Sequence, residues 1–325
     1  MKMGSEVRRS HCGPLRLRGV AGDRFARSRE RGREDAHKKR TVFHFVLAAA
    51  LLCCVSIFGQ DANVKPQPVS NSPIDLSKYR LQRIYADKFN KTEKIVFEKD
   101  LIARNSDGTW KRTAKPDAKA NWIVEGAGGA EVRYGMLRAS PFPFDTFGRP
   151  DTTAKRSHLV IWNNRIFPAD LLAEFDMNPN ASTNGLTIVF FCAAGKNGED
   201  IFDLSMPPRQ ADYKAYHSGE INNYSDSYWS RNTEIESVTN RMRKNAGFKL
   251  VAEGSSLTTG PTDVTHHVRI LKIGNHIEIE INGKIVFKWD DPGAPLGDGR
   301  IGFRSMDGVN LITYDNFKVW KVSRK

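Results

Sequence analysis

Short apolar strands separated by turn residues fill the C-terminal third, and this pattern most constrains the fold. In HIEIEI (276–281), isoleucine alternates with glutamate, so the isoleucines face one side of a strand, and Glu278 and Glu280 face the other. A Gly-Asn pair at 274–275 and an Asn-Gly pair at 282–283 flank it, and such pairs tolerate the positive φ angles of two-residue hairpins. The pattern predicts antiparallel strands with the isoleucines in the core and the two glutamates solvated.

Similar runs recur from residue 122 onward, between clusters of Gly, Asn, Asp and Pro, and no long helical period interrupts them. This spacing predicts an all-β fold, an antiparallel β-sandwich or jelly roll, in one domain over 81–325. The predicted strands are Trp122–Glu125, Ala130–Arg138, His158–Trp162, Leu171–Met177, Leu186–Ala193, Ser218–Tyr224, Phe248–Ala252, His266–Ile273, His276–Ile281, Lys284–Trp289, Arg300–Arg304 and Leu311–Val322.

The N-terminal segment predicts export. The apolar run Thr41–Gly59 follows a basic flank, which is typical of a secretory signal peptide. We therefore assign residues 1–62 to a basic leader plus signal peptide, cleaved between Phe58 and Ala62, and residues 63–80, rich in Pro, Ser and Asn, to a linker. The chain is expected to be secreted, to the periplasm or the outside. A single N-terminal membrane anchor is the alternative, because the run has about the minimum length for a span.

The net charge bears on the class of partner, and the cysteine content shows how many thiols the predicted mature chain keeps. Residues 1–60 carry thirteen Lys and Arg against five Asp and Glu, so +8 of the formal net charge of +13 lies there and +5 remains on the rest. A modest excess over a long domain does not indicate a nucleic-acid partner. Cys12, Cys53 and Cys54 precede the predicted cleavage, so Cys192 remains alone, in an apolar run typical of a buried strand.

The stretch Tyr213–Phe248 concentrates the residues suited to carbohydrate. Read as a strand with a two-residue period, one face combines tyrosines with amides and carboxylates. Aromatic rings cover the apolar faces of sugars, and amides and carboxylates bond their hydroxyls. A polar edge strand is the alternative interpretation. Trp229 joins the tyrosines only if the strand bulges. The predicted ligand-binding residues are Trp162, Tyr216, His217, Asn222, Tyr224, Tyr228, Trp229 and Arg231.

Two groups of segments carry a resemblance. The C-terminal NGKIVFKW, GRIGFRSMDG and YDNFKVWK resemble the concanavalin A-like lectin and glucanase superfamily of β-sandwiches. The segments GLTIVFFCAAGKNGEDIFD, DYKAYHSGEINNYSDSYWSRN and RKNAGF resemble, more narrowly, the YesU-like family of uncharacterised bacterial proteins. The resemblance extends over about 81–321. It implies the sandwich fold and lends little function, because a fold does not fix an activity.

Catalysis is the competing hypothesis. Glu174 and Asp176 lie on one face of LLAEFDMNP and match the first two positions of the Glu-x-Asp-x-(x)-Glu run of laminarinase-type glucanases. Asn178 and Pro179 stand where the last glutamate belongs, so hydrolysis, which needs two carboxyl groups, requires a partner such as Glu220 or Asp203. Lyase chemistry is the other enzymatic option, with Tyr216 and His217 near the sugar and cations from Arg231, Arg241, Arg243 and Lys244. On an ideal strand Tyr216 and His217 point to opposite faces.

No cofactor is expected from the sequence. Asp315, near the last strand, is a candidate for a structural calcium of the kind that many relatives of the superfamily bind, with Asp87 as a second donor. A solvated turn carboxylate is the alternative. Together these features favour recognition of a polysaccharide or oligosaccharide, acidic in view of the arginines, over glycan cleavage and over a purely structural role.

Overall fold

The computed structural model describes residues 64–325, except 88, 91–92, 181, 183, 232–238, 259–262 and 307. The predicted leader and signal peptide, with Cys12, Cys53 and Cys54, lie outside the described residues. The described residues contain the helix α1 (Lys214–His217), two 3₁₀ turns (Leu76–Lys78 and Glu98–Leu101) and eighteen strands. The strands are β1 (Tyr79–Ala86), β2 (Ile95–Phe97), β3 (Ile102–Arg104), β4 (Trp110–Arg112), β5 (Trp122–Gly126), β6 (Gly129–Arg133), β7 (Met136–Ser140), β8 (Leu159–Asn163), β9 (Leu171–Asn178), β10 (Gly185–Gly195), β11 (Ile221–Arg231), β12 (Thr239–Asn245), β13 (Lys249–Ser255), β14 (His266–Ile273), β15 (His276–Ile281), β16 (Lys284–Asp290), β17 (Arg300–Ser305) and β18 (Ile312–Arg324).

Two eight-stranded sheets form a β-sandwich. Sheet A has the order β13-β12-β11-β10-β17-β8-β5-β2, and sheet B has the order β16-β15-β14-β9-β18-β7-β6, with β1 also paired to β18. Apart from the parallel pair β2–β5, the strand pairs of both sheets are antiparallel. The predicted antiparallel β-sandwich is confirmed. In the described part of the chain, no helix is both long and apolar enough to cross a membrane.

The main core lies between the sheets, and it follows from strand alternation. In β9, Phe175 and Met177 are buried, whereas Glu174 and Asp176, which alternate with them, are half-buried on the opposite side. Aromatic rings fill the centre: Phe303 stacks on Tyr314 with ring centroids 4.3 Å apart. Burying each large apolar side chain contributes about 1.5–3 kcal/mol.

The predicted hairpin β15–β16 is confirmed, with φ angles of 52° at Asn282 and 76° at Gly283. The isoleucines of β15 are fully buried, as predicted. The prediction that Glu278 and Glu280 are solvated is wrong, because they retain only 7% and 1% exposure. Their charges are paired instead: Lys288 Nζ lies 3.0 Å from Glu278, and Arg269 lies 3.3 Å from Glu280. Glu280 also accepts the Ile74 N–H at 2.7 Å.

Residues 67–78, which we call the strap, explain the burial of Glu280. Ser70 bridges to Ile285 of β16, and Gln67 bridges to Gly254 of β13. Ile74 packs with Leu172, Leu271 and other apolar residues in a cluster separate from the main core. The segment predicted as a linker, 63–80, is therefore part of the folded domain from Gln67 onward.

Residues 196–220, between β10 and β11, form a cap on sheet A. Ile201, Phe202 and Met206 of the cap pack with Val160 and Phe190 of sheet A in a third apolar cluster. The side chains of Val160 and Phe190 point away from the main core, so this cluster lies on the outer face of sheet A. The cap contains α1 and leads directly into β11, and it thereby positions the stretch that the sequence marks as functional.

Candidate functional site

The aromatic residues predicted to contact a ligand are buried. Tyr224, Tyr228 and Trp229 belong to the main core, and Trp162 and Tyr216 belong to the cluster under the cap. All five are at most 1% exposed. A ring without exposed surface cannot cover a sugar, so the prediction of an aromatic-lined groove built from these residues is wrong.

The error arose from treating the stretch as one straight strand. Residues 214–217 are helical, and β11 begins only at Ile221. Within β11, Tyr224 pairs with Phe191 of the main core, and its hydroxyl donates to Asp291 at 2.5 Å. A bulge then places Ser227 and Tyr228 opposite the single residue Ile188 of β10. The bulge lets both Tyr228 and Trp229 reach the core.

Two predicted residues, Asn222 and Glu220, lie at the start of β11. Asn222 is half-buried, and its Oδ1 accepts the Ala246 N–H at 3.3 Å. Glu220 is exposed and pairs with Lys196 at 3.0 Å. Arg231 ends β11, but its side chain lies outside the described residues.

The polar residues of β11, which alternate with the tyrosines, face the outer side of sheet A. Asn245 of β12 donates from Nδ2 to Asn223 Oδ1 at 2.9 Å and to Ser225 Oγ at 3.0 Å. Asn223 in turn donates to the Tyr216 carbonyl at 2.9 Å, which ties the cap to β11. Asn245 Oδ1 is buried and has no hydrogen-bond partner within the described ranges.

Beside this row, three rings packed edge-to-face or tilted lie between two guanidinium groups; we call this group the His217 cluster (Tyr213, His217, Arg243, Phe248 and Arg304). The His217 ring lies 4.6 Å from the Tyr213 ring and 4.4 Å from the Phe248 ring, centroid to centroid. The Arg243 guanidinium lies 4.0 Å from the Phe248 centroid, and that of Arg304 lies 5.1 Å from the Tyr213 centroid. Both separations are typical of cation–π contacts. The three rings are half-buried, so part of each ring remains exposed to solvent.

The electrostatics of the cluster keep His217 uncharged. Burial lowers its pKa, and the nearby Arg304 and Arg243 charges lower it further. Its Nδ1 is hydrogen-bonded to Ser218 Oγ, and its carbonyl accepts the Gly247 N–H at 2.7 Å. The site thus presents a neutral imidazole in a cationic surrounding.

A buried charge network under the cap fixes the position of the cluster. Glu125, on the outer side of β5, accepts hydrogen bonds from Trp162 Nε1 at 2.9 Å and from the Tyr216 hydroxyl, and it pairs with Arg209 of the cap. Arg304 donates to the Ala211 carbonyl at 3.0 Å. These groups are almost completely buried. A buried charge is costly without its partner, so the pairing fixes the positions of these side chains. They hold α1, and with it Tyr213 and His217, against sheet A.

Glu174 and Asp176 lie elsewhere, on the outer face of sheet B. Glu174 accepts from Lys318 at 3.2 Å and from Arg269 at 3.4 Å. Asp176 is bonded to His267 Nδ1 at 2.6 Å and accepts from Asn316 at 2.7 Å. Glu220 precedes β11 in the other sheet, so the structure does not bring together the carboxyl pair that hydrolysis requires. These groups form a surface network of ion pairs and hydrogen bonds.

Asp315 lines a shallow depression of about 240 Å³ beside Asp176, together with Asn178 and Thr313. Asp87, the second donor considered for calcium, accepts instead from Trp122 Nε1 and the Tyr85 hydroxyl, each at 2.7 Å. Across the residues that the structure describes, no group of three or more His, Cys, Asp or Glu side chains is placed to hold a metal ion. The geometry therefore lends the calcium hypothesis no support.

Sequence reasoning missed several members of the site: Tyr213, Asn223, Ser225, Asn245, Phe248 and Arg304. A signal for some of them was present. Asn223 and Ser225 alternate with tyrosines, and a sheet with one apolar side buries rings in preference to amides. Arg243, Asn245 and Phe248 all fall within the RKNAGF segment that carries the family resemblance.

Comparison with known proteins agrees with this architecture. The family model described as "Domain of unknown function (DUF1961)" matches residues 110–319. The "Uncharacterized protein YesU" of Bacillus subtilis (strain 168) is 34% identical over 220 residues, which cover 65% of this chain and 94% of YesU. A crystal structure of a Bacillus subtilis protein of unknown function with a galectin-like fold aligns over 76% of this chain and 100% of its own, with a TM-score of 0.59 and 27% identity. The resemblance to the YesU-like family is confirmed, and the chain belongs to the DUF1961 family.

Proposed function

We propose that the protein is an exported carbohydrate-binding protein that recognises an acidic polysaccharide at the His217 cluster. The observation that carries the proposal is the partly exposed group of rings between the guanidinium groups of Arg243 and Arg304. Partly exposed rings beside buried cations suit a ligand that is partly apolar and negatively charged.

The chemistry of an acidic sugar matches these groups one by one. Its C–H groups contact the exposed parts of the Tyr213, His217 and Phe248 rings. Its carboxylate or sulfate is attracted to the Arg243 guanidinium, which favours planar, bidentate partners, while the fully buried Arg304 adds positive charge from within the fold. The adjacent row of Asn223, Ser225 and Asn245 is almost completely buried, and in it Asn245 Oδ1 still lacks a donor within the described part of the chain, so this atom is the acceptor for a ligand hydroxyl.

Export is part of the proposal, because a protein must leave the cytoplasm to bind an extracellular polysaccharide. It is supported by the apolar run Thr41–Gly59 behind its basic flank. Fractionation of cells that express the full chain, followed by determination of the mature N-terminus, tests this part. A mature chain that begins between residues 59 and 62 supports the predicted cleavage, and retention of the run in the membrane indicates an anchor.

The binding test uses retention on immobilised alginate and polygalacturonate, with a neutral glucan as reference. Wild-type protein should be retained on an acidic polymer and released by salt, because screening weakens the charge contacts. Arg243→Gln should weaken retention about tenfold, the loss expected for one charge-assisted hydrogen bond. Arg243→Lys, which keeps the charge but loses the planar fork, should fall between the two.

Arg149→Gln is the matched control. Arg149 also stacks on a ring, that of Phe147, at 5.1 Å, but it lies away from the cluster. Equal losses in the Arg149 and Arg243 variants would mean that only net charge matters. If neither retention nor cleavage is found on any polymer, the protein has a structural role instead.

Eliminative cleavage at the same site is the second candidate function, favoured by the uncharged state of His217. A neutral imidazole can remove the proton next to a uronate carboxylate, while the guanidinium groups stabilise the charge that develops. The C4–O bond then breaks, a C4=C5 double bond forms, and water supplies the proton to the leaving oxygen. The polymers of the binding test, assayed for the ultraviolet absorbance of an unsaturated product, separate the candidates. Turnover that is lost in His217→Ala while retention persists would establish the enzyme.

A further inference from the structure

The structure contains a second polar pocket, remote from the His217 cluster, whose chemistry the proposed function does not use. It has a volume of about 220 Å³ and lies where the end of β8 and the segment before β5 meet β1 of the other sheet. We call it the Asn163 pocket. It is lined by Tyr85, Ala118, Lys119, Ala120, Asn121, Asn163, Asn164 and Arg165.

One atom of the pocket lacks a partner although its residue is completely buried. Asn163 has 0% exposure, and its Nδ2 donates to the Tyr85 hydroxyl at 2.9 Å. Its Oδ1 has no hydrogen-bond partner among the described residues. A buried polar atom left without a partner costs about 1–3 kcal/mol, so this oxygen calls for a donor.

The orientation of the Asn163 amide is fixed by its neighbours. The Tyr85 hydroxyl donates to Asp87 at 2.7 Å, and Asp87 also accepts from Trp122 Nε1 and the Phe89 N–H. Burial raises the pKa of Tyr85, so its oxygen keeps the hydrogen that Asp87 accepts and can itself only accept from Asn163. Turning the amide over would set oxygen against oxygen. The unpartnered atom is therefore an acceptor.

Two cations stand at the mouth of the pocket. Lys119 and Arg165 are both exposed, and neither forms an ion pair with another described residue. Arg165 lies over the Tyr85 ring, with its Cζ 4.9 Å from the centroid. A ligand for this pocket therefore carries a negative charge at its outer end and a hydroxyl donor at its inner end.

We propose that the Asn163 pocket binds one sugar acid residue, with its carboxylate at Lys119 and Arg165 and a hydroxyl donating to Asn163 Oδ1. The volume limits the ligand to about the size of a monosaccharide, since drug-sized ligands occupy 300–1,000 Å³. The residue is either a free sugar acid or the end of an acidic chain. The pocket is independent of the His217 cluster, so either proposal can fail alone.

Calorimetric titration of the folded chain with D-glucuronate, and with D-glucose as its neutral counterpart, tests the pocket. Glucuronate should saturate one site, and glucose should bind at least tenfold more weakly. Arg165→Gln, an exposed substitution that leaves the fold intact, should weaken glucuronate binding about tenfold. Asn163→Ala should weaken it as well, with folding checked from the melting temperature.

Arg133→Gln is the control, because Arg133 also lies over a tyrosine ring, that of Tyr134, at 5.1 Å, and it should leave the titration unchanged. A trisaccharide that ends in glucuronate distinguishes the two sources: binding indicates a chain end, and exclusion indicates a free sugar acid. The proposal is overturned by equal affinity for glucose, by an unchanged affinity in Arg165→Gln, or by no saturation up to about 10 mM. Retention on polysaccharide in the Arg243 variants is read separately and tests only the His217 cluster.

Discussion

Among single residues, Glu93 has an unusual ionisation. Burial, together with the charge and hydrogen bonding of the neighbouring Asp87 carboxylate, raises its pKa from 4.5 to about 7. Asp87 cannot move away, because it holds the Tyr85 hydroxyl, the Trp122 indole and the Phe89 N–H. Glu93 therefore keeps its proton in the folded state at pH values where the unfolded chain has lost it.

We expect Glu93 to make stability fall as pH rises. Because its folded pKa is above its unfolded value, its contribution is fully present below pH 4.5 and is lost as pH rises towards about 7. Glu93→Gln cannot lose a proton and should remove this part of the decline. Thermal melting across that window, with Glu220→Gln at an exposed position as control, measures the difference. Parallel pH profiles for wild type and Glu93→Gln would contradict the assignment.

Cys192 shows that some single residues are predictable from local sequence. Its position in the run LTIVFFCAA predicts a buried thiol, and the structure buries it completely, which raises its pKa to about 12. The role of Tyr224 was harder to predict. The alternation of rings and amides separates the two faces of the strand, and hydrophobicity favours burial of the ring face. Where the strand begins and where it bulges depends on its pairing with β10, and local sequence does not give that pairing.

Among the elements, the strands with clear alternation were predicted well. His266–Ile273 and His276–Ile281 have the predicted bounds as β14 and β15. The predicted strand Ala130–Arg138 is instead the hairpin β6–β7, because Tyr134 and Gly135 adopt positive φ angles of 57° and 75°. Tyrosine is an uncommon residue for such a turn, so the sequence carried no clear signal there. The cap was also missed, since its buried residues follow no regular period.

The cap depends on one carboxylate. Glu125 holds Arg209, Trp162 and Tyr216 together in a buried setting. Glu125→Ala leaves the Arg209 charge buried without its partner and should cost about 3–5 kcal/mol of unfolding free energy. Urea unfolding measures this loss, and faster proteolysis within 196–217 would locate it in the cap.

Asp203→Ala is the control for this prediction, because Asp203 is a cap carboxylate that pairs with Lys115 at the surface. Its removal should change stability little. If the two variants lost equal stability, the Glu125 network would not be what anchors the cap.

At the scale of the whole molecule, the strap joins the start of the folded domain to strands of its C-terminal part, β13 and β16. Ile74 is 4% exposed and packs on the outer side of sheet B. Ile74→Ala should lower the unfolding free energy by about 2–5 kcal/mol, the usual cost of such a core truncation. A chain that begins at Tyr79 should lose more, because it also uncovers Leu271 and Ile285.

Leu81→Ala provides the comparison, since Leu81 is an apolar residue with 37% exposure on the adjacent strand β1. Chemical denaturation of the three variants ranks the effects. A strap that behaves as a free linker would give a chain beginning at Tyr79 with wild-type stability.

The strap also fixes the order in which the chain can fold. The Ile74 N–H is hydrogen-bonded to Glu280, 206 positions later, and the Gln67 side chain is hydrogen-bonded to Lys288, 221 positions later. Strand β1 pairs with the last strand, β18. Contacts of such long range form late and slowly. The first segment of the domain to be synthesised therefore has no docking surface until the last strands exist.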